Sequence, residues 1–331
     1  MSLTNIEVTY LSKKDIKKLN IPMSKTINVV EKAYGAEASG KVHLPAKVGI
    51  YPKSKIENFF HAMPAMVEGF ENFEGSAGVK WVSYFPDNNR TNSLPNASSV
   101  MTLNDAKTGL PYCIMEGMHL TNMRTAASGA IAAKKFANPN ATVLGIVGAG
   151  KIARWSVRAI KSVFPSIKEI KVISRTKSSI NNFCSEMSEL YKDIKFSPHS
   201  NLKSLVNKSD IILTITSNTD EPYISFDWLQ EGALAISLDD IRSWKSSFKN
   251  ADKIITDDKD YFLELIDGYL ELKESKLHGV SELLEKSKGF EWSEDERNIV
   301  FMNGIGSTDI MIANYIYKLA VESGKGQTLQ F

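Results

Sequence analysis

The sequence predicts an α/β protein in which a Rossmann-type dinucleotide-binding region follows a mixed α+β region. Three observations carry this. A regular alternation of apolar strand-like runs and helix-favouring stretches begins near Thr142. The first of those runs leads directly into Gly148-Ala149-Gly150-Lys151-Ile152-Ala153. Before His119 the pattern differs, with several strand-like runs joined by turns.

Taken in order, Pro22 and Ser24 open a helical stretch reaching about Ala38, with Ile27, Val30 and Ala33 on one face. Strand-like runs follow at Lys47 to Tyr51, Asn58 to Met63, Gly78 to Tyr84 and Ala97 to Leu103. Asp105-Ala106-Lys107-Thr108-Gly109 is a turn, and Leu110 to Met115 is the return strand, which implies an antiparallel or mixed sheet. Thr121 to Phe136 is an Ala-rich helix ended by Asn138-Pro139-Asn140. Strands are then expected at Thr142 to Val147, Ile167 to Ser174, Asp210 to Ser217, Leu234 to Leu238 and Lys253 to Asp257. Helices are expected at Lys151 to Val163 and Ser178 to Tyr191. Continuous apolar strands separated by helices predict a parallel sheet covered on both faces. Asp309 to Ser323 is a last, amphipathic helix, and nothing in the sequence says which domain it packs on.

Bulk properties narrow the function classes. The 331 residues, 43% hydrophobic and 24% charged, suit a globular chain with a sizeable core. A net charge of +2 without a long basic run points away from nucleic acid or an anionic membrane as partner. Cys113 and Cys184 form no CxxC pair, and the five histidines are isolated, so no disulfide framework and no metal site is expected. Met1 to Ile6 is polar, with no signal-peptide core, and no apolar run approaches the roughly 20 residues of a membrane span. A cytoplasmic protein is the expectation.

The glycine loop has a mechanical reading. Gly148 permits a tight turn, Gly150 lets backbone approach a pyrophosphate, and Ala153 allows close helix–strand packing. The helix that follows offers free N–H groups and a positive dipole end. A dinucleotide is therefore expected at Gly148, Ala149, Gly150, Lys151 and Ile152. An acid ending the second strand would bind the ribose 2′-hydroxyl of NAD. The chain has Ser174, Arg175 and Thr176 instead, groups suited to a 2′-phosphate. NADP(H) is expected to be preferred over NAD(H), which the loop also admits; the alternative is that Arg175 is a plain loop residue.

Met123-Arg124-Thr125-Ala126-Ala127, Gly78-Val79-Lys80 upstream and the late Gly304 to Asp309 element make the chain resemble the ornithine cyclodeaminase/mu-crystallin family. The segment Thr219 to Ile224, continuing through Asp227 to Gln230, is similar to one branch of that family. That branch contains the dehydrogenase that releases 2,3-diaminopropionate in siderophore biosynthesis. The resemblance implies a substrate and dimerisation domain, residues 1–121 plus 308–331, with a Rossmann domain, residues 122–307, inserted in it. It also implies homodimers formed through the N-terminal sheets, and chemistry on an amino acid or its imine with a nicotinamide.

On that resemblance Arg124 and Lys47 hold a substrate carboxylate, Arg124 by two parallel hydrogen bonds. Lys80 is the active-site lysine, set among Val79, Trp81 and Val82, where burial would lower its pKa for proton transfer at nitrogen. The plain alternatives are a surface arginine and a lysine pointing to solvent. Arg124, Thr125, Thr216, Ser237, Leu238 and Lys245 are further cofactor candidates, with Lys245 equally readable as a solvent-facing lysine. Asp309 is read as a helix cap and His61 as a packed histidine. Ile241 stands where cyclodeaminases place an Asp, with Asp239 and Asp240 just before it and Arg242 after. The expected activity is therefore an NAD(P)-dependent amino-acid dehydrogenase or imine reductase. Ornithine cyclodeamination and a mu-crystallin-like binding protein without turnover are the alternatives. The substrate pocket is expected to draw on the loop Pro52 to Asn58 and on Asp239 to Arg242.

Overall fold

The computed structural model describes residues 6–53, 57–217, 221–268, 270–285 and 291–331. Ser54 to Ile56 of the expected pocket loop, and Thr219 and Asp220, lie outside the described residues. By its internal contacts the chain divides into two compact units, residues 1–124 with 305–331, and residues 125–304.

Unit 1 opens with strand β1 (Glu7–Leu11) and the short helix α1 (Lys13–Lys18), whose start is fixed by a reciprocal capping box between Ser12 and Asp15. Helix α2 (Met23–Ala38) follows and buries Ile27, Val30, Ala33 and Tyr34. Pro22 is its N-cap, one position before Met23, which leaves Ser24 inside the helix. Strands β2 (Val42–His43), β3 (Val48–Ile50), β4 (Phe59–Val67), β5 (Ser76–Tyr84), β6 (Ala97–Asn104) and β7 (Pro111–Glu116) come next, with a one-turn helix α3 (Asn88–Thr91) between β5 and β6. From β4 to β7 the strands pair antiparallel in sequence, whereas β1 pairs parallel with β7, so the sheet is mixed. The β6–β7 turn is held by Asp105 Oδ1, which accepts from the N–H groups of Lys107 and Thr108 at 3.1 and 2.7 Å.

Alternation sorts the two faces of this sheet. Met63, Ala65, Val67, Met101, Leu103, Cys113 and Met115 point into the core. Phe60, Val79, Trp81 and Val100, on the opposite face, stay half-exposed or exposed, and the Phe60 and Trp81 rings stack at 5.6 Å. Helix α4 (Gly117–Phe136) begins four residues earlier than expected, because Gly117 carries β7 straight into it.

Unit 2 holds strands β8 (Val143–Val147), β9 (Glu169–Ile173), β10 (Lys195–Pro198), β11 (Ile211–Thr214), β12 (Leu234–Ser237), β13 (Lys253–Thr256), β14 (Leu277–Gly279) and β15 (Asn298–Phe301). All pair parallel, in the order β10-β9-β8-β11-β12-β15-β13-β14. Helices α5 (Lys151–Val163), α6 (Lys177–Leu190), α7 (Leu202–Asn207), α8 (Lys259–Ile266) and α9 (Val280–Glu285) connect them. Every residue of β11, β12 and β15 is buried, as a sheet covered on both faces requires.

The chain then returns to unit 1. Helix α10 (Gly306–Glu322) buries Ile310, Ile312, Ala313, Ile316 and Ala320 against α2 and the sheet, which answers where the last helix packs. Strand β16 (Gln327–Gln330) adds to β1 antiparallel.

Candidate active site

Lys80 occupies the middle of β5, paired across the sheet with Met63 on β4 and Met101 on β6, so its side chain enters the core of unit 1. It is 1% exposed. Its ammonium donates to Asp309 Oδ2 at 2.7 Å, and Arg124 Nε donates to Asp309 Oδ1 at 2.9 Å. Asp309 is fully buried and Arg124 is 6% exposed. Neither solvent-facing alternative describes Lys80 or Arg124. The cap reading of Asp309 is corrected: α10 starts at Gly306 with Ile305 as its N-cap, so Asp309 lies one turn inside and turns its carboxylate onto the two cations.

Two cations thus share one carboxylate. Burial, and then the Arg124 charge, bring the Lys80 ammonium down to about 7, against the pull of Asp309 in the other direction. Burial alone would raise the Asp309 carboxyl, but the Arg124 and Lys80 charges together hold it below its ordinary value. Half-buried Lys47, just before β3, adds a third positive charge that acts on Lys80. Such a cluster carries an excess of positive charge that an anionic ligand would balance. Arg124 reaches Asp309 through Nε, and a guanidinium carries two more nitrogens with which to grip a second carboxylate. His61 stacks on Phe59 at 4.2 Å and meets the Tyr51 hydroxyl at 3.1 Å, a packed histidine.

Unit 2 has its own cleft, of about 620 Å³, at the carboxyl edge of its sheet. Gly148, Ala149, Gly150, Ser174, Arg175 and Thr216 line it, six of the residues expected there. Gly148 has φ +117°, and a Cβ on it would lie 2.3 Å from the Ile215 carbonyl oxygen. Gly150 is the N-cap of α5 with no side-chain cap, and a Cβ there would meet only open space. A bare helix start beside open space fits a pyrophosphate. Lys151 and Ile152 open that helix.

Other expected contacts are placed differently. The Thr176 hydroxyl accepts from Ser179 N as the N-cap of α6, so that position serves the helix. Ser237 is buried, its hydroxyl donating to Asp239 Oδ1 at 2.8 Å. Leu238 packs beside Gly129, Thr125 is buried, and Lys245 is exposed at the start of a short 3-10 turn. Ile241 is half-buried against the core of unit 2. The Asp240 carboxylate approaches Arg242 Nε at 3.7 Å.

The roles of some residues show only in the fold. Asp309 is the partner of both cations, and its signal was an acid set inside Thr308-Asp309-Ile310-Met311-Ile312, a stretch that tolerates a charge only with buried partners. Ser179, Glu221 and Tyr223 also line the unit 2 cleft. Asp239 accepts from a ring of hydroxyls, and its signal was the row Thr214, Thr216, Ser237 and Ser243 at the strand ends. Burial lifts the Cys113 thiol to about 12, which makes it inert packing. Among the described residues no His, Cys, Asp or Glu group could hold a metal ion, and no helix is long and apolar enough to cross a membrane.

Known proteins match this chain along nearly their whole length. The chain is 29% identical to the N-((2S)-2-amino-2-carboxyethyl)-L-glutamate dehydrogenase of Staphylococcus aureus, covering 98% of this chain and 99% of the relative. The solved structure of Thermococcus litoralis Δ(1)-pyrroline-2-carboxylate reductase with NADH and L-proline superposes with a TM-score of 0.86 at 26% identity, over 97% and 99% of the two chains. An archaeal alanine dehydrogenase dimer with bound NAD gives 0.87 at 25% identity, over 98% and 100%. The match to one family description runs from Glu7 to Gly324 and takes in β5, α4, the glycine loop and α10 alike, so the chain belongs to the ornithine cyclodeaminase/mu-crystallin family.

Proposed function

We propose that this chain catalyses reversible hydride transfer between a nicotinamide dinucleotide and the α-carbon of an amino acid, an N-substituted amino acid or a cyclic imino acid. The observation that carries the reading is the buried Lys80–Asp309–Arg124 cluster, an excess of positive charge built into an apolar core. Unit 1 takes the substrate and unit 2 the dinucleotide. Relatives named for oxidation or reduction of amino and imino acids, two of them solved with NAD or NADH, support the same class.

Arg124 and Lys47 bind the substrate carboxylate, and Arg124 orients it through paired hydrogen bonds. Asp309 fixes the approach of both cations. Lys80, at about 7, stands ready to give a proton to the substrate nitrogen on reduction or take one on oxidation. A nicotinamide, when bound, supplies or accepts the hydride. Ile241, packed on the core, and Asp239, whose oxygens are taken by internal donors, favour redox turnover over cyclodeamination.

Two finer assignments go with this. The phosphate-bearing dinucleotide is preferred, supported by Ser174 and Arg175 on the cleft with no acid between Ile173 and Thr176. Glu221 lines the same cleft and works against a phosphate, so the preference turns on Arg175. A homodimer forms through the sheet face that carries Phe60, Trp81 and Val100, supported by the exposure of these apolar side chains. The test of the reaction is a screen of amino acids, amino-acid conjugates and cyclic imines, followed by NADPH and NADH absorbance in both directions. Dinucleotide binding without turnover on any of these would overturn it, and ornithine consumed without net NADH would replace it with cyclodeamination.

A further inference from the structure

Asp239 follows β12, is 8% exposed and takes its hydrogen bonds from neutral groups. Its oxygens are met by hydroxyls and one backbone N–H. Oδ1 accepts from Thr214 Oγ1 at 2.6 Å and Ser237 Oγ at 2.8 Å. Oδ2 accepts from Thr216 N at 2.8 Å, Thr216 Oγ1 at 2.6 Å and Ser243 Oγ at 2.7 Å. A carboxylate has about four lone-pair sites. Five donors at these distances leave no acceptor capacity for a substrate nitrogen. Uncompensated burial of such a group is costly, and this set of donors offsets it.

The donors come from three places: the end of β11, the end of β12 and the segment at Ser243. Around them the backbone is constrained. Asp240 adopts φ +57°, unusual for a residue with a side chain, and its carbonyl lies within hydrogen-bond distance of Ser237 Oγ. Trp244 Nε1 donates to Thr214 Oγ1 at 3.2 Å from a fully buried ring. The Tyr223 backbone N–H donates to the Ser243 carbonyl at 3.2 Å, and its hydroxyl hydrogen-bonds Ser243 and Thr216. Tyr223 and Thr216 both line the nucleotide cleft.

We propose that Asp239 is a positioning residue for the dinucleotide: its carboxylate fixes Thr216 and, through Ser243, holds the Tyr223 ring as a flat wall for the adenosine half. It takes no proton in the reaction. The inference rests on the assignment of this cleft to a nicotinamide dinucleotide. An anchored tyrosine offers a purine a rigid π-face, which is a sequence-tolerant and strong contact.

The test uses the full chain, with NADPH, AMP and nicotinamide mononucleotide as titrants. Asp239→Ala is expected to weaken NADPH and AMP binding by roughly tenfold or more, on the scale of one base–aromatic contact. Nicotinamide mononucleotide binding should change by less than about threefold, and kcat at saturating NADPH by a similarly small factor, against the ~10²-fold or greater loss of a proton-transfer residue. Asp239→Asn should recover most of the affinity. Its amide oxygen, set where Oδ2 lies in the wild type, still accepts from Thr216 N–H, and the hydroxyls of Thr214 and Ser237 can turn to accept from the amide nitrogen that replaces Oδ1. If Asp239→Ala does not fold, Ser243→Ala, which cuts the tether to Tyr223, should still weaken AMP several-fold. Wild-type AMP affinity in Asp239→Ala or Ser243→Ala overturns the proposal. So does Asp239→Asn with unaltered NADPH binding and kcat lowered 10²-fold or more. These titrations need no turnover, so a wild-type chain that binds NADPH but converts nothing defeats the proposed reaction and leaves this inference standing.

Discussion

Lys80 and Asp309 meet at 2.7 Å across 229 residues of sequence, and the same carboxylate also takes Arg124. One anion between two buried cations is a site waiting for a second anion. In the proposed reaction a substrate carboxylate would supply it, which would leave the lysine to handle the proton at nitrogen.

Removing that lysine separates chemistry from cofactor binding. Lys80→Ala is expected to lower kcat by about 10²- to 10⁴-fold, the usual contribution of a proton-transfer group. NADPH affinity, read by titration, should stay within about twofold of wild type. Near-normal turnover in the variant defeats the assignment.

The rate should carry the ionisation of Lys80 with opposite signs in the two directions. Oxidation needs the neutral amine, so kcat/KM rises as pH climbs through about 7. Reduction needs the ammonium, so its rate falls over the same interval. Lys80→Ala should flatten both limbs. Steady-state profiles from pH 5 to 9 check this, and a reduction rate that rises through 7 contradicts it.

Asp309 holds the cluster together. Asp309→Asn leaves two buried cations without their shared anion, and breaking such a pair typically costs about 3–5 kcal/mol. Urea unfolding of wild type and variant measures the difference. A loss below about 1 kcal/mol would mean that the cations find other partners.

On the nucleotide side, Arg175→Ala should weaken NADPH by roughly 10- to 100-fold, the range of a lost charge-assisted hydrogen bond set. NADH binding should hardly change, and Glu221→Gln should shift the balance further toward NADPH. Equal affinity of the wild type for the two dinucleotides defeats the preference.

Gly148→Ala tests the loop. The new methyl would collide with the Ile215 carbonyl at 2.3 Å, at a φ of +117° that side chains avoid. Dinucleotide binding should fall below detection at millimolar ligand while the far-UV circular dichroism of the chain is retained. Binding at wild-type strength would show that the loop can rearrange.

Much of this architecture can be read from local pattern. β8, α5 and the glycine loop stand where periodicity and turn chemistry put them, because a buried parallel strand and an amphipathic helix each leave a short-range signature. β10, β14 and β15 leave none: Lys195-Phe196-Ser197-Pro198 is a short edge strand ending in proline, and β15 is four residues whose burial comes only from neighbours distant in sequence. The site divides in the same way. Lys80 and Arg124 can be picked out by motif, but the role of Asp309 depends on the long-range packing of α10 beside β5, and the hydroxyls around Asp239 converge only once β11 and β12 pair.

The return of α10 to unit 1 also orders events during synthesis. Domains tend to fold as units while the chain emerges, N-terminal parts first. Residues 125–304 are contiguous and have all their strands once Phe301 is made. Unit 1 is translated first yet cannot close, because the helix that fills its core is made after the whole of unit 2. Until Asp309 leaves the ribosome, Lys80 and Arg124 have no counter-ion and their apolar surroundings have no lid. The part of unit 1 that is made before unit 2 is therefore the last to mature, and a nascent chain stalled before α10 would present residues 125–304 folded and unit 1 open to chaperones.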